Sequence, residues 1–304
     1  MRTSLDCITC LIRQTVEASR FASADPELHE HVLRDVLRMA TEFDLSQAPP
    51  VLTQQVQRHI RRLTGDDDPY RELKRRANEA ALAALPSLAA EVRSAPDPLP
   101  AALRFAIAGN TMDAGAGGAA SIERMEQELS VAHERPFHGD VDEFRRAAAS
   151  ARTILFLTDN TGEIVIDRLL AEQLPLDRIT FAVRGAPVLN DATRADAKLA
   201  GLDRLAEVVD NGSDAPGTVL QDCSPEFRRR FSEADLIIAK GQGNYETLSN
   251  EPRDIFVLFA VKCDIAARHV GLPRGTQVLL RSPAGRAAGA RLTTPERRRH
   301  GRRR

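Results

Sequence analysis

From Arg152 onward, short apolar, β-branched runs alternate with segments of helical period, and this alternation restricts the fold more than any other feature of the chain. The runs at 153–158, 179–183, 206–209, 235–239 and 276–280 read as strands, and helical segments fall between them near 162–174, 190–201, 224–233 and 254–269. Strands joined by helices in this order predict a mostly parallel sheet covered on both faces. Right-handed crossovers then bring the strand-end loops to one side of the sheet, where open α/β sheets hold their ligands.

Up to about residue 105 the periodicity is helical. Cys7 to Ala22, His29 to Phe43 and the Ala-rich segment from Asp68 to Leu85 each read as a helix, the last ended by Pro86. A further apolar helix follows SAPDPLP and stops at a Gly109, Asn110, Asp113 corner. The expected organisation is an α-helical domain (1–105), a Rossmann-like three-layer α/β domain (106–281) and a basic, disordered tail (282–304). The last 24 residues carry nine Arg and one acid, Glu296. This leaves 33 basic against 42 acidic residues, a charge of −9, on the rest of a chain whose net charge is only −1.

Composition excludes several classes of function. The chain has no Trp and 2 Tyr, which argues against a surface that stacks nucleic-acid bases. No apolar run approaches membrane-spanning length, and the start, MRTSLDCITCLIRQ, lacks the pattern of a secretory leader. The expectation is a cytoplasmic protein with no membrane partner. Four cysteines in 304 residues do not make a disulfide framework.

Three strand-end loops carry polar groups suited to chemistry. After the first strand come Asp159 and Asn160, after the second Asn190 and Asp191, and after the fourth Lys240, Gly241, Gly243 and Asn244. Asp159, Asn160 and Asp191 offer hard oxygen ligands of the kind Mg²⁺ or Mn²⁺ prefers. Lys240 offers a point charge for a phosphate, and the glycines let backbone N–H groups approach it. Each loop alone also has a structural reading, since Asp, Asn and Gly are ordinary turn and cap residues and Asp191 could cap the next helix. Glu163 and Asp167, one helical turn apart, read either as groups that orient the site or act as acid and base, or as dipole and ion-pair residues. A phosphatase that forms an aspartyl-phosphate on Asp159 would want a second acid two residues later, and that position is Thr161. The nucleophile is therefore expected to be a metal-activated water.

Cys7 and Cys10 stand one turn apart on the first helix. They read either as buried small hydrophobes or as half of a tetrahedral site that Cys223, Cys263 or His269 would complete.

Taken in order, DCITCLIRQTVEASR, AGNTMD, TDNTGEIVIDRLLAEQL, VLNDAT, NGSDAPGTVL and ADLIIAKGQGNYETL resemble the damage-control metal-dependent phosphatase family. This family is also called acidic-residue-methyltransferase-like and was long known only as a domain of unknown function. The CxxC start is similar to that of its bacterial and archaeal branch, and the resemblance spans about residues 1–280. It implies an α-helical domain packed on a Rossmann-like α/β domain. It also implies a phosphatase of small phosphorylated metabolites, such as sugar phosphates, with a divalent metal ion (Mg²⁺, Mn²⁺, Co²⁺ or Ni²⁺) as cofactor. By matching motifs, the resemblance places the metal ligands on Asp159, Asn160 and Asp191, the phosphate-contacting lysine on Lys240 and a substrate contact on Asn110. Two alternatives stand beside this reading: methyl transfer from S-adenosylmethionine to protein carboxylates, and a noncatalytic metal- or metabolite-binding module. The first is disfavoured because no Gly-rich loop follows the first strand with an acid at the next strand end.

Overall fold

The computed structural model describes residues 1–111 and 118–282, so Asp113 of the Gly-Asn corner and the basic segment from 283 onward lie outside the described residues. Five helices come first: α1 (Leu5–Ala22), α2 (Pro26–Ala40), α3 (Pro49–Thr64), α4 (Arg71–Ser94) and α5 (Pro98–Ala108). Next are α6 (Gly118–Ser130), a two-residue strand β1 (Phe137–His138) and α7 (Val141–Ser150). The alternating part follows with β2 (Ile154–Leu157), α8 (Glu163–Ala171), β3 (Ile179–Val183), α9 (Arg194–Ala200), β4 (Glu207–Asp210) and α10 (Pro225–Glu233). The last elements are β5 (Leu236–Lys240), α11 (Gly241–Leu248), β6 (Ile255–Ala260), α12 (Asp264–Val270) and β7 (Gln277–Arg281).

The sheet order is β1-β7-β6-β5-β2-β3-β4, parallel throughout except where β7 runs against β6. This is the mostly parallel, doubly covered sheet that the strand and helix alternation predicts. Side chains alternate between two cores. Ile154, Phe156, Phe181, Ile238 and Leu258 face a layer that includes α4, α5, α7 and α8, whereas Leu155, Leu157, Ile237, Val257 and Phe259 face α10, α11 and α12. A third apolar cluster joins α1, α2 and α3 and reaches Val188 and Leu189 on the loop after β3. That contact seats the helices over the strand ends.

Three sequence readings are corrected. The segment 254–269 is not one helix: Ile255–Ala260 is a fully buried strand between β5 and β7, and only Asp264–Val270 is helical. A short run that is apolar on every side fits a strand covered on both faces as well as a buried helix, and periodicity alone does not separate them. Pro86 does not end the fourth helix, which continues through it to Ser94. A proline inside a helix costs about 3 kcal/mol, and burial of Leu88 and Val92 beyond it offsets that loss. Near β3 the predicted helix at 190–201 begins only at Arg194. Its cap is Thr193, boxed with Asp196, so Asp191 does not cap it and instead bridges to Asn160.

Candidate metal and phosphate site

Strand order reverses between β2 and β5, whose neighbours lead away in opposite directions along the sheet. Such a switch point opens a crevice at the strand ends. Asp159 and Asn160 leave β2 there, Lys240 ends β5, and the turn after β3 supplies Asn190 and Asp191. Thr161 donates its backbone N–H (2.9 Å) and its hydroxyl (3.1 Å) to the Asn190 carbonyl, which ties the two acid-bearing turns together.

The acids sit in a buried lattice of donors. Asn110, at the end of α5, gives Nδ2 to Asp159 Oδ2 and Glu163 Oε2, both at 2.8 Å. Asn160 Nδ2 reaches the same two oxygens at 2.8 and 3.0 Å, which leaves its carbonyl oxygen as the ligand atom. Arg184, just past β3, donates Nε to Asp191 Oδ2 at 2.6 Å and a terminal nitrogen to Asp159 Oδ1 at 3.3 Å. Gly241 permits this density: its φ is +82°, and a Cβ there would fall 1.8 Å from Asp159 Oδ2.

Charge is not balanced in this lattice. Burial, then the neighbouring Asp191 and Glu163, push the Asp159 carboxyl up to about 7 against the pull of Arg184 and Lys262. Burial also raises Asp191, more than Arg184 lowers it. Buried carboxyls held above their usual range, with an amide oxygen beside them, are a fitting place for a hard divalent cation. Among the described residues no three His, Cys, Asp or Glu side chains form a metal cage. The candidate set is two carboxylates and an amide, and water or substrate would complete the coordination.

Lys240, expected from the sequence to touch phosphate, is 0% exposed and points into the protein. Its Nζ donates to Glu163 Oε1 (2.6 Å), Asp167 Oδ1 (2.5 Å) and the Ala106 carbonyl (2.9 Å), which uses all three of its hydrogens. One ammonium is shared unequally by two acids. Burial would raise Glu163, but the charge and hydrogen bond of Lys240 and the hydrogen bond of Asn110 hold it below its usual range. Burial and Glu163 push Asp167 up to about 7 in spite of Lys240. Asp167 and Glu163 thus share this cation, so the like-charge spacing noted in the sequence has a local cause.

The cavity above the acids is about 1230 Å³ and is lined by Asp159, Asn160, Asn190 and Asp191 below and by α1 and the β6–α12 turn at its sides. Of the cations that line it (Arg13, Arg124, Arg135, Lys262, Arg268 and Arg274), half-buried Lys262 follows β6 and lies close enough to pull down the carboxyls of Asp159 and Glu163. Gly243 also lines the cavity. Asn244 does not: it is fully buried, accepts from Thr218 and donates to the carbonyls of Thr158 and Lys240, pinning β2 to β5. Neither Lys262 nor Arg184 was picked out by sequence reasoning, although both stand just beyond strand ends.

Cys7, Cys10 and Cys263 also line this cavity. Burial pushes the Cys7 thiol up, away from the thiolate that a soft metal requires. Cys223 is buried in the core and pushed up to about 12, and His269 Nδ1 is engaged by the Tyr245 hydroxyl at 2.6 Å. The thiols offer soft ligands where phosphoryl transfer uses hard ones. A Cys7→Ser, Cys10→Ser double variant should therefore keep most of its turnover and lose mainly stability. Turnover as low as in Asp159→Ala, with fold and metal content intact, would place the cysteines in the catalytic machinery.

The family model described as "Damage-control phosphatase ARMT1-like domain" matches residues 3–278. A damage-control phosphatase of Archaeoglobus fulgidus is 33% identical to this chain over 285 residues, covering 91% of this chain and 98% of its own length. One of Pyrococcus horikoshii is 31% identical over 289 residues, covering 93% and 99%. An uncharacterized protein of Methanocaldococcus jannaschii is 34% identical over 292 residues, covering 91% and 94%. The crystal structure of a DUF89 family protein from Pyrococcus horikoshii superposes with a TM-score of 0.81 at 30% identity, over 93% of this chain and 99% of that one. With its sheet, its switch-point acids and these matches in agreement, the chain belongs to the ARMT1-like damage-control phosphatase family.

Proposed function

We propose that this chain is a divalent-metal-dependent phosphatase that hydrolyses small phosphorylated metabolites, sugar phosphates among them, with water as the nucleophile. The observation that carries the reading is the convergence of Asp159, Asn160 and Asp191 at the switch point, on one cavity with Lys262. When bound, a divalent ion lowers the pKa of water and offsets charge on the phosphoryl group. Asp159, Asp191 and the Asn160 carbonyl would hold it. Asn110 and Arg184 fix the carboxylates, and Lys240 fixes Glu163 and Asp167 from beneath. Lys262 is the group we assign to the non-bridging phosphate oxygens, because it opens to the cavity close enough to Asp159 and Glu163 to act on their carboxyls, whereas every donor of Lys240 is already used.

The test is release of phosphate from a panel of phosphometabolites with and without Mg²⁺, Mn²⁺, Co²⁺ or Ni²⁺. Hydrolysis that ignores the metal, or none across the panel, sinks the reading, and binding of S-adenosylmethionine would favour methyl transfer. Within an active panel, Lys262→Met should lower kcat/KM roughly 10²- to 10³-fold, the usual effect of removing one aimed electrostatic donor. An unchanged kcat/KM would remove Lys262 from the phosphate site.

A further inference from the structure

Helix α4 reaches both turns that carry the candidate ligands. Asn78 on that helix is 1% exposed. Its Oδ1 accepts the backbone N–H of Gly162 at 2.8 Å, and its Nδ2 donates to Asp196 Oδ1 at 2.9 Å. Gly162 is the N-cap of α8, with φ 75° and no side chain of its own to fix the turn. It lies two residues after Asn160. Asp196 closes the capping box of α9, accepting from the Thr193 backbone N–H (2.9 Å) and hydroxyl (2.8 Å), and Thr193 lies two residues after Asp191. Lys74, one turn earlier on α4, stands 3.7 Å from the other oxygen of Asp196.

One amide thus holds two loops whose side chains must converge on one ion. We propose that Asn78 is a positioning residue for the metal centre, setting the Asp159–Asn160 turn through Gly162 and the Asn190–Asp191 turn through Asp196. This rests on the metal-dependent reading above. Without the amide, a buried N–H and a buried carboxylate oxygen both lose their partner, and each turn is free to rotate toward another. Groups that orient metal ligands in this indirect way typically alter metal affinity 10- to 100-fold.

The experiment measures the Kd for Mn²⁺ by direct titration of the full chain, with steady-state kinetics in parallel. Asn78→Ala should weaken Mn²⁺ binding roughly 10- to 100-fold, while kcat at saturating Mn²⁺ falls far less. Asn78→Asp should be at least as poor, because it sets two carboxylates face to face. Adding Asp196→Asn to Asn78→Asp should recover most of the affinity. In that pair the new carboxylate accepts from Gly162 and from the new amide, whose oxygen still accepts from Thr193. A residue that only packs α4 on the sheet would lower the melting temperature and leave the Mn²⁺ Kd of the folded protein at its wild-type value. That result, or no recovery in the exchanged pair, overturns the proposal. Asp159→Ala separates the two levels: wild-type Mn²⁺ affinity in that variant overturns the metal assignment and this inference together, whereas lost affinity there with a normal Asn78→Ala overturns this inference alone.

Discussion

Asp159→Ala should abolish metal-dependent hydrolysis and leave a folded protein. The substitution removes one of only two carboxylates in the candidate ligand set, and a bound metal contributes several kcal/mol of charge stabilisation to phosphoryl transfer. At about 1.4 kcal/mol per decade this is a loss of roughly 10³-fold or more in kcat/KM. Stability should respond much less. Asp159 is buried at 7% exposure with its carboxyl pushed up to about 7 by burial and by Asp191 and Glu163, so its removal relieves repulsion while it frees donors on Asn110, Asn160 and Arg184. Mn²⁺ titration and a denaturation curve on the same sample check both halves. Wild-type turnover at saturating metal would show that the ion is held elsewhere.

The sequence made the acid turns legible because β2 and β3 are strongly apolar runs, the first followed almost at once by Asp159 and Asn160 and the second by a loop that carries Asn190 and Asp191. The same rule, a polar group just beyond a buried strand, applies to Lys262, which follows Ile255–Ala260 by two residues. It went unseen because that run, taken as part of a helix, had no strand end. Arg184 stands directly after β3 and satisfied the rule, but its value depends on Asp159 and Asp191 meeting it in space. Lys240 was found for a sound reason, an ammonium at the end of a buried strand. What the sequence could not give was the direction of its side chain: Glu163 and Asp167 lie below it on α8 rather than above it in the cavity. Asn78 was invisible for a related reason, since nothing in an Ala-rich helix marks one amide as the link between two distant turns.

Lys240→Met should be severely destabilising, by about 3–5 kcal/mol, the range for removing one partner of a buried ion pair. The loss comes from what is left behind. Glu163 and Asp167 are both 0% exposed, and Glu163 owes its ionised state chiefly to the ammonium 2.6 Å away. Urea unfolding should show a lower midpoint at constant slope, the signature of changed stability without a changed denatured state. A shift under about 1 kcal/mol would mean that the acids are neutral without Lys240 and that the ion pairs contribute little net stability. Adding Asp167→Asn to Lys240→Met should recover part of the loss, because it removes one of the two acids left uncompensated, and residues in one buried network are not additive. The double variant also separates two roles for the lysine. If Lys240 acts by fixing Glu163 beneath the metal ligands, kcat/KM should rise with the recovered stability, since Asn110 and Asn160 still hold the Glu163 carboxylate. If it touches the phosphate itself, as the sequence motif suggested, stability should return while kcat/KM stays down by the roughly 10²- to 10³-fold that one aimed donor supplies.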